Sequence, residues 1–454
     1  MSSVSPASPS PDPFDSLRKA GSPSSANPQP EHPAAAEVPI ASTGFTTNQP
    51  IAPSPALLTV SQAVEHELAI DRAAIELEAQ FRKLFSEQVK AHPELQKWNT
   101  PEFRTMPGPD VQAFKDALLT LETKLKESGF EKKLGMGTTG VIFKIPINDR
   151  IYSMKVFITK TDNKGYGIDL NLPFSQFEEV NKLNDINDGL LAEVSVGEKQ
   201  GRFDFLQARP KLYANKEVLV YPHIDAEPII NGEVHHGTSW EVNQEYLEKG
   251  VSPQWISDFL HLMSRAQMNG INMTDFGQVH QTLYKDGKIY LLDPFGSNKL
   301  SRNGAGFEKD PTTIYRMKHQ SENPLVYPIS CLASSISFFE WAQRGNVWRD
   351  ALLSHLTKTT GSLEQAEEAL DAFYEKNLTK LADGIKLAIE DAKHFKGHAE
   401  IFTKENFLDA INIVIDGSVL GDEEAKEISK KYYINALTDE GREWLNQLSA
   451  ALSA

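Results

Sequence analysis

The amino-acid sequence predicts an α+β chain in two lobes, a small β-rich one followed by a larger helical one. Three observations carry that expectation. Between Lys132 and about Ile224 the apolar period is close to two, with turn residues between the runs VIFKIPI, IYSMKVFI and KEVLVYP and one helix, FSQFEEVNKL, inserted. From Trp255 onward the apolar spacing is mainly helical. A single hairpin, TLYKDGKIYLLD, interrupts that stretch, and Asp286-Gly287 is its two-residue turn.

Sequence of another kind precedes both lobes. Residues 1 to about 56 hold 12 of the chain's 26 prolines, with serine, alanine and few aromatics. Such a segment buries too little apolar surface to offset its ordering entropy, so a disordered tail is expected, either a docking or export segment or a passive one. A helical segment, 57–129, follows. Thr59 and Gln62 have capping-box spacing, and Val64, Leu68, Ile75, Phe81, Leu84 and Phe85 suggest a packing stripe that fades at Pro93. A second helix is expected after Asp110, with Val111, Phe114, Leu118, Leu121 and Leu125 on one face and Gly129 as its stop. The β-rich lobe then takes 130–225, and the helical lobe with a C-terminal extension takes 226–454.

Charge and composition narrow the partners. Basic residues number 46 against 62 acidic, a net charge of −16, which speaks against a nucleic-acid partner because that surface needs a basic stripe. Cys331 is the one cysteine, so no disulfide forms within the chain, and a reduced, cytoplasmic compartment is the expectation. No run of 18 apolar residues is present, so no membrane span is expected. The opening MSSVSPASPSPDPFD has neither a basic nor an apolar signal region.

The chemistry concentrates in four segments. LGMGTTGVIFK sets Gly135, Gly137 and Gly140 in G-x-G-x-x-G spacing. A strand follows these glycines, whereas a dinucleotide fold requires a helix there; a glycine loop between two strands offers backbone N–H groups to ATP phosphates, or is a plain hairpin turn. In RIYSMKVFI, Lys155 interrupts an apolar strand, so it lies at an edge or meets a phosphate or a carboxylate. The helix after it offers Glu178 and Glu179 as partners. KEVLVYPHID ends a strand at Pro222 to Ile224. Finally, GINMTDFGQVHQTLYKDGKIYLLDPFG carries Asp275 and Asp293 on either side of the hairpin, 18 residues apart.

These segments, in this order, resemble the protein-kinase-like superfamily over about residues 130–300 and more loosely to 400. The proline-rich tail and divergent motifs are most similar to bacterial type III secreted effector kinases, which act on host-cell proteins. The resemblance implies a bilobal kinase-like fold and an ATP-dependent phosphotransferase acting on Ser or Thr of a protein substrate. Lys155 and Glu179 would form its ion pair, Gly135, Gly137 and Gly140 would cover phosphate, and the backbone at Pro222 and Ile224 would meet adenine. Asp275 would be the catalytic base and Asp293 the Mg²⁺ ligand. Asp275-Phe276-Gly277 also spells the metal-binding tripeptide, but it follows a helix, not a hairpin, so Asp293 takes that role.

Three departures from the pattern bear on activity. Met273 stands in place of the catalytic-loop histidine, and Asp293-Pro294-Phe295-Gly296 carries an extra proline. His280 stands where a second oxygen ligand is expected; imidazole suits Mn²⁺ better than Mg²⁺, so Mn²⁺ is expected to serve at least as well. Glu322-Asn323-Pro324 is a poor stand-in for the Ala-Pro-Glu motif. A nucleotide-binding pseudokinase, or a kinase-fold enzyme that transfers AMP or acts on small molecules, are the alternative readings. His235-His236 lacks further ligands nearby. The EF-hand-like spacing of Asp416, Ser418, Gly421 and Glu427 fails at Leu420, which has no ligating side-chain oxygen. Phe338, Phe339, Trp341 and Trp348 read as packing aromatics.

Overall fold

The computed structural model describes residues 60–97, 108–127, 133–136, 140–157, 172–206, 208–231, 241–269, 282–291, 323–337, 347–417 and 439–454. They form an α+β arrangement with a helical majority and small antiparallel sheets. The expected tail, Thr59, His235-His236, Phe338, Phe339, Trp341 and most of the EF-hand-like segment lie outside the described residues.

Two helices come first, α1 (Val60–Ala91) and α2 (Gly108–Glu127). The sequence expectation for the buried stripe of α1 is corrected. The buried residues are His66, Ile70, Ala74, Leu77, Phe81 and Phe85, whereas Val64, Leu68 and Ile75 are about half exposed. The observed stripe steps by four or three residues throughout, as one helix face requires. It includes a histidine and an alanine that a search for large apolar residues passes over. His66 is satisfied there: Asn148 donates to its Nδ1 at 3.0 Å, leaving Nε2 to donate to the Tyr152 hydroxyl at 2.6 Å.

What α1 and α2 cover is a five-stranded sheet. Its strands are β1 (Lys133–Met136), β2 (Gly140–Ile147), β3 (Arg150–Phe157), β4 (Lys211–Tyr213) and β5 (Val218–Pro222), in the order β1-β2-β3-β5-β4 with every pairing antiparallel. Side chains alternate across β3, the middle strand. Met154 and Val156 point into one core with Phe81, Phe85, Phe114 and Leu121 of the two helices. Phe157 points the other way, with Leu219 and Tyr221 of β5, toward α3 (Leu172–Glu193). The inserted helix of the sequence reading is therefore 22 residues long. Truncating a fully buried phenylalanine such as Phe81 to alanine costs about 3–5 kcal/mol, so α1 and α2 are part of the sheet's core and not an appendage.

Gly140 opens the β2–β3 ladder opposite Phe157. A Cβ there would lie 2.5 Å from the Val156 carbonyl oxygen, a backbone atom that cannot swing aside. Gly140→Ala is therefore expected to destabilise the protein by about 1–3 kcal/mol, the range for overpacking. Denaturant unfolding measures this directly, and it separates a steric need for glycine from any part in phosphate binding.

The helical part is built around α5 (Pro253–Met268), which follows the short strands β6 (Glu227–Pro228), β7 (Ile230–Asn231) and β8 (Glu241–Val242) and the short helix α4 (Gln244–Lys249). Ser252 caps α5 by accepting from Trp255 N–H, and Pro253 sits where a missing N–H costs nothing. Trp255, Ile256, Phe259, Leu260 and Leu262 are buried, and the helix ends at the Asn269 cap. The hairpin β9 (Thr282–Lys285) and β10 (Lys288–Leu291) turns at Asp286 and Gly287, with φ of 52° and 78°, the two left-handed residues of a type I′ turn. Trp255 Nε1 donates to Ile289 O at 2.9 Å, and Tyr284 OH to Gly250 O at 2.7 Å, so the hairpin is pinned to the start of α5. The remaining helices are α6 (Val326–Ser337), α7 (Val347–Thr360), α8 (Leu363–Asp391), α9 (Lys404–Gly417) and α10 (Asp439–Ser453). Asn323 fixes the turn before α6, accepting from Leu325 N–H at 3.0 Å and donating to Asn406 O at 2.9 Å. Among the described residues no helix is long and apolar enough to cross a membrane.

Candidate functional site

Register brings the sequence candidates of the sheet into one row. Gly135 is opposite Ile142, Ile142 opposite Lys155, and Lys155 opposite Leu219. Cross-strand partners share a face, and neighbouring strands lie about 4.8 Å apart. The glycine strand β1 thus stands two strands from Lys155 in that row. Between Lys133 and Gly135 the pairing shifts by one residue, and the extra residue bends β1.

Lys155 is buried, with 4% of its surface exposed, on the face of β3 that meets α3. Its Nζ donates to Gln176 Oε1 at 3.1 Å and lies 5.2 Å from the centre of the Phe157 ring. Gln176 is itself 2% exposed. A buried ammonium needs such partners, because an unpaired charge away from water costs several kcal/mol. Gln176 is the contact that sequence reasoning missed. It lies three residues before Glu179 and seven before Leu183, which is 1% exposed, so all three occupy one face of α3. That spacing was available in the sequence; a search confined to carboxylates does not see it. Of the two glutamates, Glu178 is exposed and Glu179 half-buried.

At the end of β5 the backbone pairing is informative. His223 N–H donates to Ile151 O at 3.0 Å, so Tyr152 and Pro222 form the adjacent pair that exchanges no hydrogen bonds. A proline therefore fits at that place without loss to the ladder. His223 Nδ1 also meets Ser153 Oγ at 3.0 Å, and burial holds its imidazole below the usual histidine range.

Gly137, Asp275, His280 and Asp293, together with Met273, lie outside the described residues. The elements on either side of them are α5, which ends just before the Asp275 segment, and the hairpin β9–β10, which separates it from Asp293. Among the described residues no three His, Cys, Asp or Glu side chains converge as a metal-binding group. In comparisons with known proteins the chain matches no family model, no curated relative and no solved structure.

Proposed function

We propose that this chain is an ATP-dependent protein kinase with a bilobal kinase-like fold, transferring the γ-phosphoryl group to Ser or Thr of a protein substrate. One observation carries the reading: a buried lysine on the middle strand of a β1-β2-β3-β5-β4 sheet, in the same row as a glycine strand two strands away and in contact with the helix that follows. Phosphoryl transfer asks a protein mainly for charge neutralisation and alignment. Lys155 supplies a positive charge held in place by Gln176, and the glycine segment Gly135–Gly140 would supply backbone N–H groups. Commitment of His223 N–H to Ile151 leaves Pro222 C=O and Ile224 N–H, on either side of it, as the groups for adenine. Asp293 would hold Mg²⁺ or Mn²⁺, with His280 as the second ligand, and the metal would neutralise the phosphates. Asp275 would take the proton of the acceptor hydroxyl.

The second reading, a nucleotide-binding pseudokinase, draws on Met273 and His280. Mass analysis of the full chain incubated with ATP, either metal and a cell lysate separates the readings. Added phosphate on Ser or Thr, abolished by Asp293→Ala and by Asp275→Ala, is the expected result. Added AMP, or nucleotide binding with no transfer under either metal, overturns it.

A further inference from the structure

A polar cluster lies away from Lys155, where the C-terminal end of α3 meets α5, α8 and the turn 395–402. Arg265 of α5 is its hub. Its Nη1 and Nη2 donate to the two carboxylate oxygens of Glu193, the last residue of α3, each at 3.1 Å. Nη2 also donates to Lys396 O at 2.9 Å, and Lys396 N–H donates back to Glu193 at 2.8 Å. The remaining donor, Nε, points at His398 Nε2 at 3.0 Å. His398 and His261 have no exposed surface, and their Nδ1 atoms are 2.7 Å apart. Phe395 and Phe402 flank the His261 ring, each 4.3 Å away centre to centre.

A single proton arrangement satisfies these contacts. A guanidinium only donates, so His398 Nε2 accepts and the His398 proton sits on Nδ1. That N–H donates to Nδ1 of His261, whose own proton then sits on Nε2. Both rings are neutral. A proton added to His398 would land on Nε2, against the Arg265 N–H, setting two donors and two positive charges 3.0 Å apart. A proton added to His261 would land on Nδ1, against the His398 N–H.

The surrounding charges act mostly in the same sense. From the loop before β4, Arg202 is held by Asp258 of α5 at 2.5 Å and Asp391 of α8 at 3.1 Å, and its charge opposes a proton on His261. Arg265 opposes one on His398, and only Glu193 of α3 favours it. Lys396 and His394 border the turn. Burial is the larger cause for both rings: it holds His261 well below the usual range and His398 at about 4.

We infer that the Arg265–His398–His261 relay is an acid-released latch, which holds the end of α3 on the helical core while both rings are neutral and frees it when His398 takes up a proton. The inference is independent of what Lys155 binds. A histidine whose folded value is depressed contributes stability that is full above its unfolded value, near 6.5, and is lost as pH falls toward the folded one. Asp258, raised by burial to about 6, works in the opposite sense between 6 and its ordinary value. Each group changes the folded-to-unfolded ratio by up to about tenfold per pH unit. His261 and Asp258 lie on α5 itself, so the release of α3 relative to α5 follows His398, with a fall of up to about tenfold per unit between pH 6 and about 4.

Two measurements on the full chain test the latch. Nitrogen-15 spectra of histidine-labelled protein at pH 7 should show His398 protonated on Nδ1 and His261 on Nε2; the reverse tautomers, or an imidazolium, overturn the inference. Amide exchange in the last two turns of α3, taken relative to α5 so that the intrinsic pH effect cancels, should lose at least about tenfold of its protection from pH 7 to 5. His398→Gln keeps an acceptor for Arg265 but cannot titrate, and its protection ratio should stay level. An unchanged ratio in the wild type, or the same fall in the variant, also overturns the inference. Should the variant not fold, the wild-type spectra and exchange decide alone.

Discussion

Lys155→Met is expected to lower ATP-dependent turnover by roughly 10²–10³-fold, the range for removing one preorganised charge from a transition state. Methionine keeps the length of the stem on β3 and its contact with Phe157, and it removes the ammonium that Gln176 holds at 3.1 Å. The fold should survive, because an apolar side chain of matching size replaces a buried charge. The Gln176 oxygen loses that donor, at a cost of about 1–3 kcal/mol. Turnover and thermal unfolding measured together check both parts. Unchanged turnover in a folded variant moves the phosphate site elsewhere. Glu178→Ala and Glu179→Ala, compared side by side, then decide whether the half-buried glutamate matters and the exposed one does not.

A large effect on stability is also expected at Arg202. It is the shared partner of Asp258 and Asp391, and Asp258 is 2% exposed. Arg202→Ala leaves that carboxylate buried with Phe203 N–H and the Gln254 amide as its remaining donors. Breaking a buried pair from one side costs about 3–5 kcal/mol. Burial already raises Asp258 to about 6 against the pull of Arg202, and losing Arg202 raises it further. A raised carboxylate contributes stability at low pH and loses it as pH rises. The deficit of Arg202→Ala should thus be smaller at pH 5 than at pH 7.5, as read by denaturant unfolding. A deficit below about 1 kcal/mol at pH 7.5, or one that grows on acidification, would contradict this account of the triad.

Local patterns in the sequence reach as far as local causes do. The Asp286-Gly287 turn needs two left-handed residues, and its dipeptide announces them. α5 is legible from apolar spacing that runs out at Asn269. The three long strands of the sheet are legible as runs of period two, whereas β4, with three residues, is too short to leave a period. The inward face of α1 was misread because Val64, Leu68 and Ile75 are larger than Ala74 and more apolar than His66; only the sheet opposite decides which face is in. Lys155 stands out in sequence because a charge interrupts an apolar strand. Gln176 does not, since an amide in a helix is unremarkable until its neighbour is known. The Arg265 relay left no trace either: Glu193, His261 and His398 are separated by tens to hundreds of residues and form one network only through packing.

Coverage of the sheet by α1 also has a consequence for how the chain is made. A ribosome delivers α1 first, with Ile70, Leu77, Phe81 and Phe85 already aligned on one side. The strands that bury them are completed only when β5 ends at Pro222, roughly 130 residues later. At about 5–20 residues per second that interval is on the order of 10 s. Until β2 and β3 follow, ending at Phe157, a helix about 30 residues long has nothing of its own chain's sheet to rest on. Whatever shields that stripe while the nascent chain waits, α2 or a chaperone, must let go when β2, β3 and β5 arrive. Yield from cells should therefore respond to translation speed between residues 91 and 222 more than to speed elsewhere in the chain.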